Sequence, residues 1–159
     1  MMEDLQIRSP RGGDVDAMWT MCSAIGTIAL HDRYLFWLFA TVYSSRSLVA
    51  TADEKVSAYL LSAPVPERRA EFIVQVAVAP HVQRRRVALA LLEEHRLRLR
   101  RDGIAHVLTS ITLGCGPGEA LMRRAVAAGF AYRPISWPSE GADPVHSLGV
   151  AEVLFEAEV

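Results

Sequence analysis

The amino-acid sequence predicts a mixed α/β fold built on one sheet. Short stretches in which apolar and polar residues alternate, as in half-buried strands, are separated by stretches in which apolar residues recur at helical spacing. In chain order they give a strand, two helices, three strands, a helix, a strand, a helix and, after an irregular segment, a last strand. A chain of 159 residues can bury a core without metals or disulfides, so residues 1–159 are expected to form one domain.

The first strand and the first two helices are predicted near the beginning of the chain. Residues 5–8 alternate between apolar and polar and predict a strand. Residues 33–43 predict a second helix, which is apolar on nearly every side and is therefore expected to be buried. Asp14 is expected to cap the first helix, whose apolar residues at helical spacing are Val15, Met18, Trp19 and Cys22.

Three consecutive strands follow. Two are predicted at residues 47–51 and 56–63, and Pro64 and Pro66 are expected to end the second because proline supplies no amide to a sheet. The third, at residues 72–79, alternates most clearly. One of its faces is expected to hold Phe72, Val74, Val76 and Val78, and the other Ile73, Gln75 and Ala77.

The rest of the chain begins with a long amphipathic helix, predicted from about residue 84 to residue 101 and ended by Gly103. Its apolar face is expected to hold Val87, Ala88, Leu91, Leu92, His95 and Leu99. The remaining predicted elements are a strand at residues 106–111, a helix at 119–128 stopped by Gly129, and a strand at 150–155.

Composition excludes several classes of protein. The formal net charge is −1, so no overall field attracts the chain to nucleic acid or membranes. The longest apolar run, about residues 34–43, is half as long as a membrane span needs, and the first residues do not resemble a signal peptide. Cys22 and Cys115 lie far apart without a metal-ligand spacing, so neither a zinc site nor a disulfide is expected. These features predict a cytoplasmic protein.

The segment from Val76 to Leu92 is most typical of a binding site. A buried strand ends at Pro80 and runs through a tight loop into a helix, whose N-terminus exposes unpaired amides and suits a pyrophosphate. The segment resembles the acetyl-CoA-binding motif of the GNAT acyltransferase family, Q/R-x-x-G-x-G/A after a strand ending in V-x-P. Gln83 matches the first position of that motif and Ala88 the last.

This resemblance implies the GNAT fold, a single mixed and mostly antiparallel central sheet flanked by helices, with acetyl-CoA as co-substrate. Arg84 and Arg86 stand where the family has glycine. Arginine there either hinders the approach of phosphates to the backbone or binds their oxygens; alternatively, the arginines form a solvated basic turn. The coenzyme-binding residues implied are Val76, Ala77 and Val78, through their backbone, with Gln83, Arg84, Arg85, Arg86, Val87 and Ala88.

A longer stretch resembles one GNAT branch, the diaminobutyrate acetyltransferases of ectoine biosynthesis. Residues 26–36, GTIALHDRYLF, are similar to that branch's G-x-L-D-L-N-S-x-Y-x-Y, and residues 72–78, FIVQVAV, to its F-V-W-Q-V-A-V. The threonine-rich stretch at residues 109–112 is also similar, and the matches keep one register from Trp19 to Val126. The resemblance implies N-acetylation of a primary amine on a small molecule.

Four departures from that branch bear on the substrate. They are Ala29 for aspartate, His31 for asparagine, Val74 for tryptophan and Cys115 for asparagine. Losing a carboxylate that could pair with an ammonium predicts a changed amine, an amino acid or diamine related to 2,4-diaminobutyrate.

The candidate catalytic residues are His31, Tyr34 and Glu152. His31 and Tyr34 lie where the resemblance places the acceptor site, and His31 is of a residue type that suits a base. Glu152 is either a base acting through water or an exposed strand residue. Gln75, polar within an apolar strand, either contacts the substrate together with His31 and Tyr34 or is a satisfied buried amide.

Two other functions compete with the acetyltransferase. The broken glycine pattern allows a non-catalytic GNAT-fold binding or regulatory protein. A nucleic-acid-binding domain using the arginines of residues 84–101 is disfavoured by the near-neutral charge. The family resemblance further implies a homodimer, for which the apolar second helix offers Leu35, Phe36, Trp37 and Phe39.

Overall fold

A computed structural model describes residues 5–137, 141, 144 and 150–159, with the side chains of residues 83–85 outside the described part. The predicted mixed α/β architecture is confirmed. The strands are β1 (Gln6–Arg8), β2 (Leu48–Ala52), β3 (Lys55–Val65), β4 (Ala70–Val78), β5 (His106–Thr112), β6 (Arg133–Ile135) and β7 (Glu152–Glu158). The helices are α1 (Val15–Ile25), α2 (Arg33–Thr41), α3 (Val87–Arg101) and α4 (Gly116–Ala127).

The strands form one sheet in the order β1-β2-β3-β4-β5-β7-β6. Only β4 and β5 run parallel; the other described neighbours are antiparallel. The short strand β6 was missed because its three residues include a proline and show no alternation. Within the described residues, no helix combines the length and apolarity needed to cross a membrane.

Helices cover both faces of the sheet. The ring of Phe36 in α2 contacts that of Tyr59 at 5.7 Å between centroids, while His95 in α3 lies 3.1 Å from the hydroxyl of Ser62. Tyr59 and Ser62 are three residues apart on β3, so they point to opposite faces. The helical pair α1–α2 therefore packs on one face and α3 on the other.

Asp14 precedes α1 as predicted but does not cap it with its side chain. Its carboxylate accepts hydrogen bonds from the backbone N–H of Arg11 at 2.7 Å and from the guanidinium of Arg8 at 2.7 and 2.8 Å. The Arg8 guanidinium holds the pKa of Asp14 below its usual value. The carboxylate thus joins β1 to α1, a tertiary contact that helical spacing does not reveal.

The expectation that α2 is buried on nearly every side is wrong. The helix ends at Thr41 and buries Phe36, Phe39 and Ala40, whereas Tyr34 and Trp37 are exposed on the other side. Its N-terminus is capped by Asp32, whose carboxylate accepts a hydrogen bond from Leu35 N–H at 3.2 Å. Apolar composition predicted the helix, but the single contact face with the sheet decided what it buries.

The strand β3 continues through Pro64, contrary to the prediction that this proline ends it. Pairing with β2 reaches only as far as Leu60, and Pro64 pairs with Glu71 of β4. The missing amide is tolerated because this part of β3 has a neighbour on one side only. The strand ends before Pro66, which begins a short 3-10 turn.

The two helices that follow β4 and β5 differ from their predicted bounds. Residues Pro80–Arg85 form a 3-10 turn, and α3 begins at Val87 rather than near residue 84. By contrast, α4 begins at Gly116, three residues earlier than predicted. Proline is accepted in a first helical turn, which explains Pro117 there.

Candidate active site

A gap opens in the sheet where β4 separates from β5. Their parallel pairing runs from Ala70–His106 to Ile73–Thr109 and stops there, although both strands continue. At this point the register between β3 and β4 shifts, since Leu61 pairs with Gln75 and Ser62 with Ile73, leaving Val74 as an extra residue. A bulge of this kind bends its strand, which turns the second half of β4 away from β5.

Two connected clefts occupy the gap. The first has a volume of about 550 Å³ and the second about 740 Å³. They meet at six residues that line both: Thr27, Ile28, Val76, Cys115, Gly118 and Leu121. A ligand can therefore extend from one cleft into the other past Val76.

The first cleft lies between the end of β4 and the two helices that follow. Val76, Ala77 and Val78 form one side, Pro80 and Ala88 the end toward α3, and α4 contributes Pro117, Ala120 and Arg124. The predicted coenzyme segment is thereby brought to the cleft. The side chains of Gln83, Arg84 and Arg85, also predicted to bind the coenzyme, lie outside the described part of the chain.

Arg86 retains the backbone geometry that glycine favours. Its φ is 58°, in the left-handed region, immediately before α3, and its side chain is exposed. Glycine adopts this conformation without strain, which accounts for the glycine that the resemblance expects here. The flanking residues Val82 and Val87 are buried and anchor the loop to the core. Arginine thus adopts, at some cost in backbone strain, the left-handed conformation that glycine would adopt freely.

The second cleft contains three of the residues predicted for catalysis or substrate binding. His31 lies on one side, Gln75 on β4, and Glu152 at the start of β7. Glu152 pairs with Thr112 across β5 and β7, and the Thr112 hydroxyl donates a hydrogen bond to its carboxylate at 3.1 Å. Both His31 and Glu152 are half-buried, so they combine contact with the cleft and access to solvent.

Gln75 is held by the protein itself. Its amide nitrogen donates to the carbonyl of Ala29 at 2.7 Å, and its amide oxygen accepts from the hydroxyl of Tyr59 at 2.6 Å. The same oxygen lies 3.8 Å from the thiol of Cys22. Burial raises the pKa of Tyr59, which favours its role as a neutral donor. The amide is therefore satisfied within the protein, and a contact between Gln75 and the substrate stays a prediction.

Tyr34 is placed apart from the other candidates. Its side chain is 66% exposed, stacks on Trp37 with 5.6 Å between ring centroids, and is not among the described residues that line the two clefts. A catalytic or substrate-binding role for Tyr34 stays a prediction, as does dimerisation through this exposed side of α2.

Several lining residues escaped sequence reasoning. They include Tyr132 and Trp137, near β6, and Met122 of α4. No local pattern marks them, and Tyr132 and Trp137 flank β6, which joins the sheet by pairing with β7. The resemblance of residues 26–36 was the available signal for Thr27, Ile28 and His31.

Three solved structures share this architecture. Diaminobutyrate acetyltransferase EctA from Paenibacillus lautus, solved with L-2,4-diaminobutyric acid and coenzyme A, is 18% identical, with a TM-score of 0.81 over 98% of this chain and 95% of its own. A putative GNAT-family acetyltransferase from Desulfovibrio desulfuricans is 17% identical, with a TM-score of 0.74 over 97% and 98%. The chain has the GNAT fold.

The third structure extends this likeness at lower identity. The PaiA N-acetyltransferase of Thermoplasma acidophilum, solved with coenzyme A, is 11% identical, with a TM-score of 0.74 over 98% of this chain and 99% of its own. No protein-family model and no curated protein matches the sequence. The likeness to these GNAT structures therefore concerns the fold.

Proposed function

We propose that this protein is an N-acetyltransferase that moves an acetyl group from acetyl-CoA to a primary amine of a small molecule. The observation that supports the proposal most directly is the pair of clefts that meet beside Val76, where the bulged β4 leaves β5. In this arrangement a long cofactor can occupy one cleft and a small acceptor the other, and the two can meet beside Val76.

The first cleft suits the coenzyme. Its walls are mainly apolar and match a pantetheine arm, while the loop before α3 and the N-terminus of that helix suit a pyrophosphate. The backbone of residues 76–78 lies along the cleft on the side that β5 has left. An amide there would stabilise the thioester carbonyl oxygen as it gains negative charge.

The second cleft suits the acceptor and holds two candidate bases. The substrate ammonium must give one proton to a base before its nitrogen attacks the thioester carbon. The new C–N bond then forms, the C–S bond breaks, and the thiolate of CoA takes a proton as it leaves. Glu152 or His31 accepts the first proton, directly or through water, since both line this cleft. Acceptors related to 2,4-diaminobutyrate remain candidates on the sequence resemblance.

A second candidate is a GNAT-fold protein that binds ligands without catalysis. Arginine at positions 84 and 86, where the resemblance expects glycine, motivates it. The left-handed turn at Arg86 weighs against a collapsed loop, because the backbone keeps the conformation that glycine would give. The acetyltransferase is therefore the better-supported function.

Calorimetric titration with acetyl-CoA and with free CoA tests the proposal. We expect saturable micromolar binding of both. Arg86→Asn removes the charge while keeping a residue that tolerates left-handed backbone, and should weaken binding roughly fivefold, or about 1 kcal/mol. Arg101→Asn, an exposed arginine at the other end of α3, should leave the affinity unchanged. Failure to bind at millimolar coenzyme would favour the non-catalytic candidate.

A further inference from the structure

The walls of the second cleft differ from those expected for an amino-acid acceptor. The residues that line it and not the first cleft are largely apolar, among them Phe72, Val74, Leu92, Ile111, Met122 and Trp137. A surface of this kind binds an apolar body by removing it from water.

Three polar side chains of these walls, those of Gln75, Thr109 and Thr112, are already paired within the protein. The Thr109 hydroxyl donates to the carbonyl of Ile73 at 3.2 Å, and that of Thr112 donates to Glu152 at 3.1 Å. The Gln75 amide is occupied by Ala29 and Tyr59. Recruiting these groups for a substrate carboxylate would break bonds that hold β4 and β5 in place.

Among the described residues that line the second cleft, Glu152 is the one acidic side chain. Neither lysine nor arginine occurs among its described lining residues. In the sequence, residues 134–159 contain neither lysine nor arginine. A carboxylate is recognised best by the paired donors of a guanidinium, whereas Glu152 would repel it and attract an ammonium.

We infer that the acceptor is an amine with an apolar body and no carboxylate, and that Glu152 selects it over the corresponding amino acid. The inference rests on the proposed acetyl transfer and narrows it. Glu152 attracts the ammonium, the apolar walls hold the body, and the carboxylate of an α-amino acid would lie against a like charge in a half-buried site.

Pairs of amines that differ by one carboxylate test the inference. The pairs are phenethylamine with phenylalanine, tryptamine with tryptophan, and 1,3-diaminopropane with 2,4-diaminobutyrate. Release of the free thiol of CoA, followed with each amine at fixed pH, gives kcat/KM. We expect the member without the carboxylate to react at least tenfold better in the two aromatic pairs, and phenethylamine to exceed 1,3-diaminopropane.

Two glutamates of β7 provide matched variants. Glu152→Gln removes the charge from the cleft, whereas Glu158→Gln removes a charge from the exposed far end of the same strand. The readout is the ratio of kcat/KM within each pair, which stays informative if Glu152 also serves as the base and all rates fall. That ratio should shrink at least threefold in Glu152→Gln and stay unchanged in Glu158→Gln.

Every other outcome refutes the inference, the role of Glu152 or the proposed function. The inference is refuted if the amino acids, notably 2,4-diaminobutyrate, react as well as or better than the corresponding amines without a carboxylate. It is also refuted if the protein prefers the amino acids and this preference disappears in His31→Gln. An unchanged ratio in Glu152→Gln refutes the assignment to Glu152. Binding of acetyl-CoA without reaction of any amine in the panel refutes the inference alone, whereas no binding of acetyl-CoA refutes the proposed function and the inference falls with it.

Discussion

The two halves of β4 lie in different surroundings, although one alternating pattern runs through both. From Ala70 to Ile73 the strand pairs with β3 on one side and β5 on the other. Beyond the bulge at Val74, pairing with β5 ends and the strand lines the clefts. We call the first half closed because it is paired on both sides, and the second half open because it is paired on one side only, although Phe72 and Ile73 of the closed half also line the second cleft.

Two ionisable groups, Glu71 in the closed half of β4 and His95 of α3 beside it, look functional by burial alone. Glu71 is fully buried with Arg46 Nε 3.9 Å from its carboxylate, and His95 lies against Ser62. Burial raises the pKa of Glu71, opposed by Arg46, and lowers the pKa of His95 to about 4. Neither residue is among the described lining of the clefts, so a shifted pKa marks structural burial in this half.

In the open half the polar side chain of Gln75 lines a cavity, whereas that of Glu71 in the closed half is buried in the core. Gln75 holds the segment before α2 against β4 through Ala29. The comparison teaches that the site depends on where backbone pairing stops, and that its ionisable residues, His31 and Glu152, come from elements outside β4.

Filling the first cleft, beside the open half of β4, should have the largest effect on coenzyme binding. Ala120→Trp places a bulky ring in the first cleft, so the affinity for acetyl-CoA should fall on the order of a hundredfold, or about 3 kcal/mol. Ala127→Trp, two turns along α4 and exposed, is the matched control and should bind normally. Calorimetry measures both, and unimpaired binding by Ala120→Trp would place the coenzyme elsewhere.

Acid should lower the free energy of unfolding through His95, which lies beside the closed half of β4. Burial, reinforced by the cations of Arg46 and Arg98, lowers its pKa to about 4, whereas an unfolded histidine has a pKa of about 6.5. Between these values the unfolded chain binds a proton that the folded chain does not. Stability is therefore lost as the pH falls through this window, by up to about 3 kcal/mol.

Urea unfolding at pH 7 and pH 4.5 measures this contribution. His95→Gln should show a smaller loss between the two pH values than the unchanged protein, whereas the exposed His81→Gln should show the same loss. An identical loss in His95→Gln would mean that other groups govern the acid response.

Breaking the tie at Gln75 should have a smaller effect that reaches both stability and the acceptor site. Gln75→Leu leaves the buried hydroxyl of Tyr59 without its acceptor, which should cost about 2 kcal/mol of unfolding free energy. The KM for the amine should rise, because the segment at Ala29 loses its anchor, while acetyl-CoA affinity changes little.

A double-mutant cycle with Tyr59→Phe checks the origin of that effect. Because the two side chains share one hydrogen bond, their combined cost should be less than the sum by about 1 kcal/mol. Strict additivity would show that Gln75 acts on stability by another route.

The α/β class, most of the elements and the segment whose two ends, at Val76 and Ala88, line the first cleft could be predicted from the sequence. Alternation, helical spacing and the stops at Pro80, Gly103 and Gly129 act over a few neighbouring residues, so they are visible in one chain without its fold.

Where the site opens and which residues line it depend on tertiary contacts. The bulge at Val74 depends on register with β3, Gln75 is bound by a carbonyl 46 residues away, and Glu152 joins the cleft through Thr112, 40 residues earlier. The exposure of Tyr34 follows from which side of α2 meets the sheet. Such contacts join residues that are distant in the chain, so no pattern among neighbouring residues reveals them.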